Sequence, residues 1–441
     1  MSEQAAIKTV VAESLTRSFP RGTRRDENIP RLAKRVSVVK GIRRCGKTFR
    51  MFQRINELLD GGVPREHILF VDLEDDRLEP LDSSSIAQIL EEYLRTAKPP
   101  AEAKVYLFFD EIQAVPEWGR TLRRLSQEER YEICVSGSSA KMLSEDVSTE
   151  FRGRSISMEL YPYSFREFLR NRGQEPSSNV ISPDDARSLS LAFDDYLTIG
   201  GFPEVQSCDA PTRTLVLQDV ARTITARDLA ERHNLPMLGT RQFIQYALRL
   251  SGREFSANKI YNTIHSMRVP LSKEDAYCLP AYCEDAYLFF LVSRFGADFV
   301  ESQRGKRKLY AIDPGLQLAM GSPSSKDAGQ ALETAVYLEL RRRLKGDPSA
   351  RIDFYRTASG FEVDFVMGDE IERSPSAAYQ VSFDVGSSAT LARETRALSE
   401  TLDETGLEQG WLIVGRGKEG ASADDDRIRI VEAWRWALGL D

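Results

Sequence analysis

The spacing of apolar positions changes repeatedly along the first third of the chain. Short apolar runs at 36–39 (VSVV), 67–73 (HILFVDL), 105–111 (VYLFFDE), 131–135 (YEICV) and 156–161 (ISMELY) have the length of buried strands. Between them, residues 49–59, 83–96 and 117–126 repeat their apolar positions at helical intervals. This alternation predicts a parallel sheet with helices on both faces, in a domain spanning 36–170. Residues 164–232 read as mostly helical, interrupted by a Gly-Gly-Phe-Pro turn at 200–203, and 171–235 is expected to be a helical, lid-like region.

Helical patterns continue from 240 to 295, with one helix starting at Ser256, and are followed by ESQRGKRKLYAID, which reads as a hairpin with a basic tip. Helices followed by such a hairpin predict a winged helix-turn-helix over 236–321. SPSSKDAG at 322–329 reads as a linker. Residues 330–441 then alternate helix, three strands, helix and strand, a separate α/β unit. Residues 1–35 are helical, then polar and basic, and read as an N-terminal extension. There is no internal repeat and no long low-complexity tract.

Composition narrows the classes. With 441 residues, 41% hydrophobic and 29% charged, the chain can build several domains with real cores. It has no run of eighteen apolar residues and no basic-then-apolar start, so neither a membrane span nor a secretory signal is expected and a cytoplasmic location is. Cysteines at 45, 134, 208, 278 and 283 lack CxxC spacing, which argues against zinc or a disulfide framework. Three histidines (67, 233, 265) argue against a histidine-based centre. A net charge of −7 confines nucleic-acid binding to a local basic face.

The chemistry concentrates at 41–48, GIRRCGKT, a G-x-x-x-x-G-K-T phosphate loop between a predicted strand and a predicted helix. Gly41 and Gly46 permit a tight turn, so that the backbone N–H groups of Gly41, Ile42, Arg43, Arg44, Cys45, Gly46, Lys47 and Thr48 can face phosphate oxygens at a helix N-terminus. Lys47 is expected to reach the β- and γ-phosphates of ATP, and Thr48 to ligate Mg²⁺. VYLFFDE ends in two acids: Asp110 for the Mg²⁺ shell and Glu111 as general base for the attacking water. YEICV runs into Ser136-Gly137-Ser138-Ser139, where a polar residue, Ser138, either touches the γ-phosphate or its water or belongs to a turn.

Together, GIRRCGKT, LFFDEIQAVPEW at 107–118, SGSSAKML at 136–143, FRGRSISMELYPYSFREFL at 151–169 and the turn at 200–203 resemble a bacterial and archaeal family of AAA-type P-loop ATPases. Members couple an ATPase core to a C-terminal domain of unknown function, and the resemblance covers roughly 36–420. It implies an α/β fold class: an AAA+-like parallel-sheet ATPase core, then a helical and winged-helix domain, then a restriction-endonuclease-like α/β domain. It also implies an arginine finger, carried here by Arg152 or Arg154, that reaches a neighbouring subunit's nucleotide. That in turn implies a homo-oligomer, such as a hexameric ring.

Endonuclease-like folds of this type hold Mg²⁺ with a helix acid, a strand Asp and a (D/E)-x-K pair. Glu333 and Asp364 match the first two, but the third slot reads Gln380-x-Ser382, so acid and lysine are both missing and a degenerate, non-cleaving site is expected. Two basic runs remain. Arg304, Lys306, Arg307 and Lys308 are expected at the wing tip, facing DNA phosphates, and Arg341, Arg342, Arg343 and Lys345 lie on the first C-terminal helix. The leading expectation is an ATP-hydrolysing motor or remodeller acting on duplex or branched DNA. The alternatives are an ATP-dependent switch or defence-type regulator with protein partners, and an ATP-gated nuclease.

Overall fold

The computed structural model describes residues 3–137, 154–176, 181–297, 305–321, 327–344, 347, 349–369 and 374–440. They fall into two compact units, 1–161 and 162–441.

The first unit is built on five parallel strands: β1 (Val36–Lys40), β2 (Ile68–Asp72), β3 (Val105–Asp110), β4 (Tyr131–Gly137) and β5 (Ser155–Glu159). Their order is β2-β3-β4-β1-β5. Strands buried on both faces need near-continuous apolar runs, as β1, β2 and β3 provide, while the edge strand β5 is only partly buried. Helices α2 (Lys47–Asp60), α3 (Ser85–Ala97) and α4 (Trp118–Leu125) fill the crossovers.

The N-terminal stretch is not an appendage. In α1 (Glu3–Thr16), Ala6, Ile7, Val10 and Val11 form a buried stripe at helical spacing, and the last three join the sheet's hydrophobic core. The polar segment after α1 straps onto α2. Phe19 packs against Phe52 and Phe70. Gln53 donates to the carbonyls of Arg21 and Thr23, and Arg50 Nε donates to Glu27 O at 2.8 Å. The buried Arg25 guanidinium donates to Cys45 O in the phosphate loop at 2.8 Å and to Tyr161 O at 2.5 Å. The polar and basic run of the expected N-terminal extension is therefore part of the wall behind the loop.

The second unit opens with helices α5 (Phe165–Asn171), α6 (Pro183–Ile199) and α7 (Ala210–Thr223), the last continuing as a π-helix over Ile224–Glu231. Next come α8 (Met237–Leu248), β6 (Arg253–Phe255), α9 (Ala257–Ser266), α10 (Lys273–Asp285) and the antiparallel pair β7 (Phe289–Val292) and β8 (Arg307–Ala311), in a sheet ordered β6-β8-β7. Helix α11 (Pro314–Met320) leads to α12 (Asp327–Arg343), which begins inside the expected linker.

The last sheet, ordered β13-β12-β11-β10-β9, comprises β9 (Ala350–Arg356), β10 (Glu362–Asp369), β11 (Pro375–Asp384), β12 (Gly410–Arg416) and β13 (Ile428–Glu432). Its first three strands are antiparallel and its last three parallel, with α13 (Ser388–Thr405) crossing between β11 and β12.

The Gly-Gly-Phe-Pro turn is fixed by Asp313. Gly201 N–H donates to Asp313 Oδ2 at 2.6 Å, while Asp313 Oδ1 caps α11 through Leu316 N–H at 2.8 Å. A Cβ on Gly200 (φ +80°) would lie 2.1 Å from Asp313 Oδ1, so the position demands glycine on both counts. Burial raises the Asp313 carboxyl to about 6. Among the described residues, no helix is long and apolar enough to cross a membrane.

Candidate functional site

The phosphate loop leaves the C-terminal end of β1 and closes on the N-terminus of α2. Gly46 is left-handed (φ 101°) and Arg44 has φ 63°. At Gly41 (φ +154°) a Cβ would lie 2.2 Å from Leu160 O, on the segment after β5. Any side chain at Gly41 would therefore push the loop away from the sheet edge. Ile42 and Cys45 are fully buried, and burial pushes the Cys45 thiol above its ordinary range, so it acts as a filler and not as a nucleophile. Arg43 lies 3.8 Å from Glu74.

Lys47 folds back over the loop. Its Nζ donates to the carbonyls of Gly41 and Ile42, both at 3.2 Å, and stands 3.9 Å from Glu111 Oε1. These are long bonds to neutral acceptors, which a phosphate oxygen can outcompete with a charge-assisted bond.

Asp110 is the hub. Thr48 Oγ1 donates to its Oδ2 at 2.5 Å, and the Ser136 hydroxyl donates to its Oδ1. Ser136 Oγ also accepts from Glu111 N–H at 3.2 Å. The strand order explains this. Because β4 is inserted between β1 and β3, its C-terminal end lies between the phosphate loop and the two acids. Burial holds the Asp110 carboxyl above its usual range, against the opposing effect of the two hydroxyls. Glu111 takes a left-handed backbone (φ 51°), rare for a side chain of this kind, and its carboxylate accepts from Gln113.

The residues expected from the sequence at 41–48, 110 and 111 therefore converge. Ser138 and Arg152 lie outside the described residues. The hydroxyl that reaches Asp110 is Ser136 at the end of β4, a role the sequence did not mark. Asp72, at the end of β2 in register with Asp110, is a further acid on this edge that the motifs do not mark, and burial raises its carboxyl. Arg154 is exposed just before β5 and lines a cleft of about 520 Å³ with Arg120, Arg123 and Arg124 of α4.

A hydroxyl and a carboxylate are hard oxygen donors, suited to Mg²⁺. Among the described residues, no group of three or more His, Cys, Asp or Glu is arranged to hold a metal. A cation at Thr48 and Asp110 would complete its shell with phosphate oxygens and water, as Mg²⁺ ordinarily does.

The C-terminal acids have a different environment from the one expected. Glu333, Asp364 and Gln380 do come together, but a lysine joins them from β8. Lys308 Nζ lies 2.8 Å from Asp364 Oδ1, 2.9 Å from Glu362 Oε1 and 3.4 Å from Glu333 Oε1. Tyr310 donates to Glu333 Oε1 at 2.5 Å, Val381 N–H to Asp364 Oδ2 at 3.0 Å, and Asp364 N–H to Gln380 Oε1 at 3.1 Å. Gln380 Nε2 donates to Glu394. Burial alone would discharge Lys308, but Asp364, Tyr310, Glu333 and Glu362 outweigh it and hold its pKa above the lysine range. Burial, with the Asp364 charge, raises Glu333 to about 7.

The expected wing-tip phosphate contacts need correction accordingly. Lys308 is 7% exposed and committed to carboxylates, because residue 308 lies within β8 and not at the hairpin tip. Arg307 is also in the strand, half-buried, with its guanidinium 6.0 Å from the Phe255 ring centroid. Lys306 is exposed and paired with Glu254 at 2.8 Å, and Arg304 lies outside the described residues. On α12, Arg341 packs over Phe290, Arg342 donates to Pro162 O, and Arg343 packs over Trp436. These three arginines serve packing within the second unit, and Lys345 lies outside the described residues.

The fold and the site define an AAA-type P-loop ATPase, and the comparisons agree. An AAA domain matches residues 33–169, and two domains of unknown function, DUF8612 and DUF4143, match 190–327 and 328–436. An uncharacterized protein of Methanocaldococcus jannaschii is 30% identical over 94% of this chain and 90% of its own length. An uncharacterized protein of Haemophilus influenzae is 26% identical over 90% and 94%. The chain belongs to this family of AAA-type P-loop ATPases with C-terminal domains of unknown function. Two solved structures are similar at 13% identity. The Walker-type ATPase of Pyrococcus abyssi has a TM-score of 0.45 over 68% of this chain and 98% of that one. Cdc6p of Pyrobaculum aerophilum has a TM-score of 0.24 over 64% and 79%.

Replacing Lys308 with Met strands buried carboxylates without a counter-charge. Lys308→Met is expected to lower unfolding stability by about 3 kcal/mol or more, read by urea denaturation. A change under about 0.5 kcal/mol would show that the ammonium does not hold this cluster.

Proposed function

We propose that this chain is an Mg²⁺-dependent ATPase that works as a homo-oligomeric, nucleotide-driven switch. One observation carries the reading: Asp110 is shared by Thr48 of the phosphate loop and Ser136 at the tip of β4, with Lys47 and Glu111 facing each other alongside. The loop amides and Lys47 would bind the β- and γ-phosphates. Thr48 and Asp110 would hold Mg²⁺, which when bound neutralises phosphate charge. Glu111 would orient the attacking water and take its proton. Ser136 ties the backbone N–H of Glu111 to Asp110, so a change at Asp110 reaches the base and β4 together. Arg154 is the candidate finger toward a neighbouring copy, in keeping with its exposure at the start of β5.

A winged-helix reading of β6 to β8 is supported by element order and by the sheet order β6-β8-β7. Its charge does not suit DNA. In helix-turn-helix readers the N-terminal turn of the recognition helix meets base edges. By element order the helix in that place is α10 and not α9, whose spacing after Ser256 is of the recognition type; the first turn of α10 reads Lys273-Glu274-Asp275, net acidic, and its last turn has no base. The nuclease-like reading of the C-terminal sheet rests on its mixed topology, but its acids are tied up in ion pairs with Lys308, and Asp364 is buried, so we propose docking or assembly and not cleavage. Protein partners therefore fit these parts better. The alternative, a motor or remodeller acting on duplex or branched DNA, is favoured by the four-arginine cleft around Arg154.

ATPase rates measured without DNA, and with single-stranded, duplex and four-way-junction DNA, decide between the two. Equal rates in all four support the switch, and stimulation by any DNA supports the motor. Lys47→Ala should cut the rate by about 100-fold or more by removing charge stabilisation on the transferring phosphoryl group. Glu111→Gln should retain ATP binding while turnover falls by about 10²–10⁴-fold. Normal turnover in that variant would remove Glu111 from the mechanism. Arg154→Ala should be inactive alone and partly rescued by mixing with Lys47→Ala subunits. Absence of rescue at every ratio would count against a shared site.

A further inference from the structure

A concentration of unneutralised charge lies in the second unit, in a cleft of about 520 Å³ between α7, α8 and the end of α11. Its lining is read from helical spacing. Gln218 and Arg222 are one helical turn apart on α7. Arg241, Gln245 and Arg249 descend the facing side of α8 at intervals of four, ending at its C-cap, with Gln242 beside them. Exposed helix faces ordinarily alternate acids and bases at this spacing, because like charges four apart repel. Here, among the described residues, no Asp or Glu lines the cleft, and none of Arg222, Arg241 and Arg249 makes an ion pair. Three guanidiniums around one cavity without a counter-charge are an electrostatic cost that a bound anion removes.

Two further features point to a ligand. The wall at Thr225 belongs to the π-helix Ile224–Glu231, and such wide-turn segments are rare and concentrate at functional sites. Thr225 itself is committed, its hydroxyl donating to Ala221 O at 2.7 Å, so the open donors are guanidinium and amide groups. Gln218 and Arg249 each spend one donor on the end of α11, at Ala319 O and Met320 O, which fixes their aim and leaves Arg249 its terminal amino groups. The cavity also falls within the range of about 300–1,000 Å³ usual for small-molecule sites.

We propose that this cleft binds a phosphorylated ligand of nucleotide size, its arginines taking phosphoryl oxygens and its glutamines hydrogen-bonding the sugar or base. Arginine provides fork-shaped, permanently charged donors for phosphate, and glutamine offers donor and acceptor on one side chain. The ligand is either a free nucleotide or a nucleotide within a strand, and the proposal does not rest on the phosphate-loop site.

The test uses full-length Lys47→Ala protein, alone and with Arg222→Gln, Arg241→Gln and Arg249→Gln added. The probes are a fluorescent ATP analogue, a twenty-nucleotide single-stranded DNA and a poly-glutamate peptide. The triple change should weaken one phosphorylated probe by about tenfold or more, as expected for lost charge-assisted bonds. If the nucleotide is the probe that weakens, the ligand is free. If only the oligonucleotide weakens, with binding that falls as salt rises from about 50 to about 200 mM, the ligand is strand-borne. If the triple variant melts early, the exposed single change Arg241→Gln is read in its place, with a loss of about threefold or more expected. Unchanged binding of both phosphorylated probes, or loss confined to poly-glutamate, overturns the proposal.

Discussion

The first unit depends on one carboxylate, Asp110, held by two hydroxyls, Thr48 in the first turn of α2 and Ser136 at the end of β4. The arrangement exists because β4 is threaded between β1 and β3. A sheet with β1 and β3 adjacent would put the phosphate loop directly beside the acids. The inserted strand creates a gap one strand wide, and Ser136 fills it by reaching Asp110 with its hydroxyl while accepting from Glu111. The loop, the acids and the tip of β4 thus share one hydrogen-bonded group, buried where such bonds are strong and where leaving one unmade is costly.

The phosphate loop was legible because its chemistry is local. Gly41 and Gly46 are needed by backbone geometry, and Lys47 and Thr48 follow in fixed order. Asp110 and Glu111 were legible from a strand that ends in acids, and the alternation of apolar periods gave the sheet. What escaped was set by contacts distant in sequence. Ser136 is distinguished from its neighbours in SGSS only by the register of β4. The strap from Phe19 to Glu27 reads as polar and basic, yet its hydrogen bonds go to α2 and the loop, and a charge pattern alone cannot separate a solvated arginine from a buried one such as Arg25.

The same confusion governs the basic run 306–308. Lys306, Arg307 and Lys308 look alike in sequence, but Lys306 precedes β8, whereas Arg307 and Lys308 lie within it and, as strand neighbours, face opposite sides of the sheet. Lys306 meets Glu254 at the surface, and Lys308 meets Glu333, Glu362 and Asp364 in the interior. The sequence motif for a nuclease-like lysine looks only at its own strand, β11, where it finds Gln380 and Ser382. The positive charge arrives from β8, 56 positions from Asp364. A one-dimensional pattern has no means of finding it.

Lys308 and the three carboxylates around it carry a consequence for how this family can vary. None of them can drift singly, since a lone substitution strands its partners in a medium of low polarity. Relatives should therefore inherit the set intact or replace it wholesale with apolar side chains. Statistical coupling between strand β8 and the C-terminal acids across an alignment would be the historical imprint of that constraint.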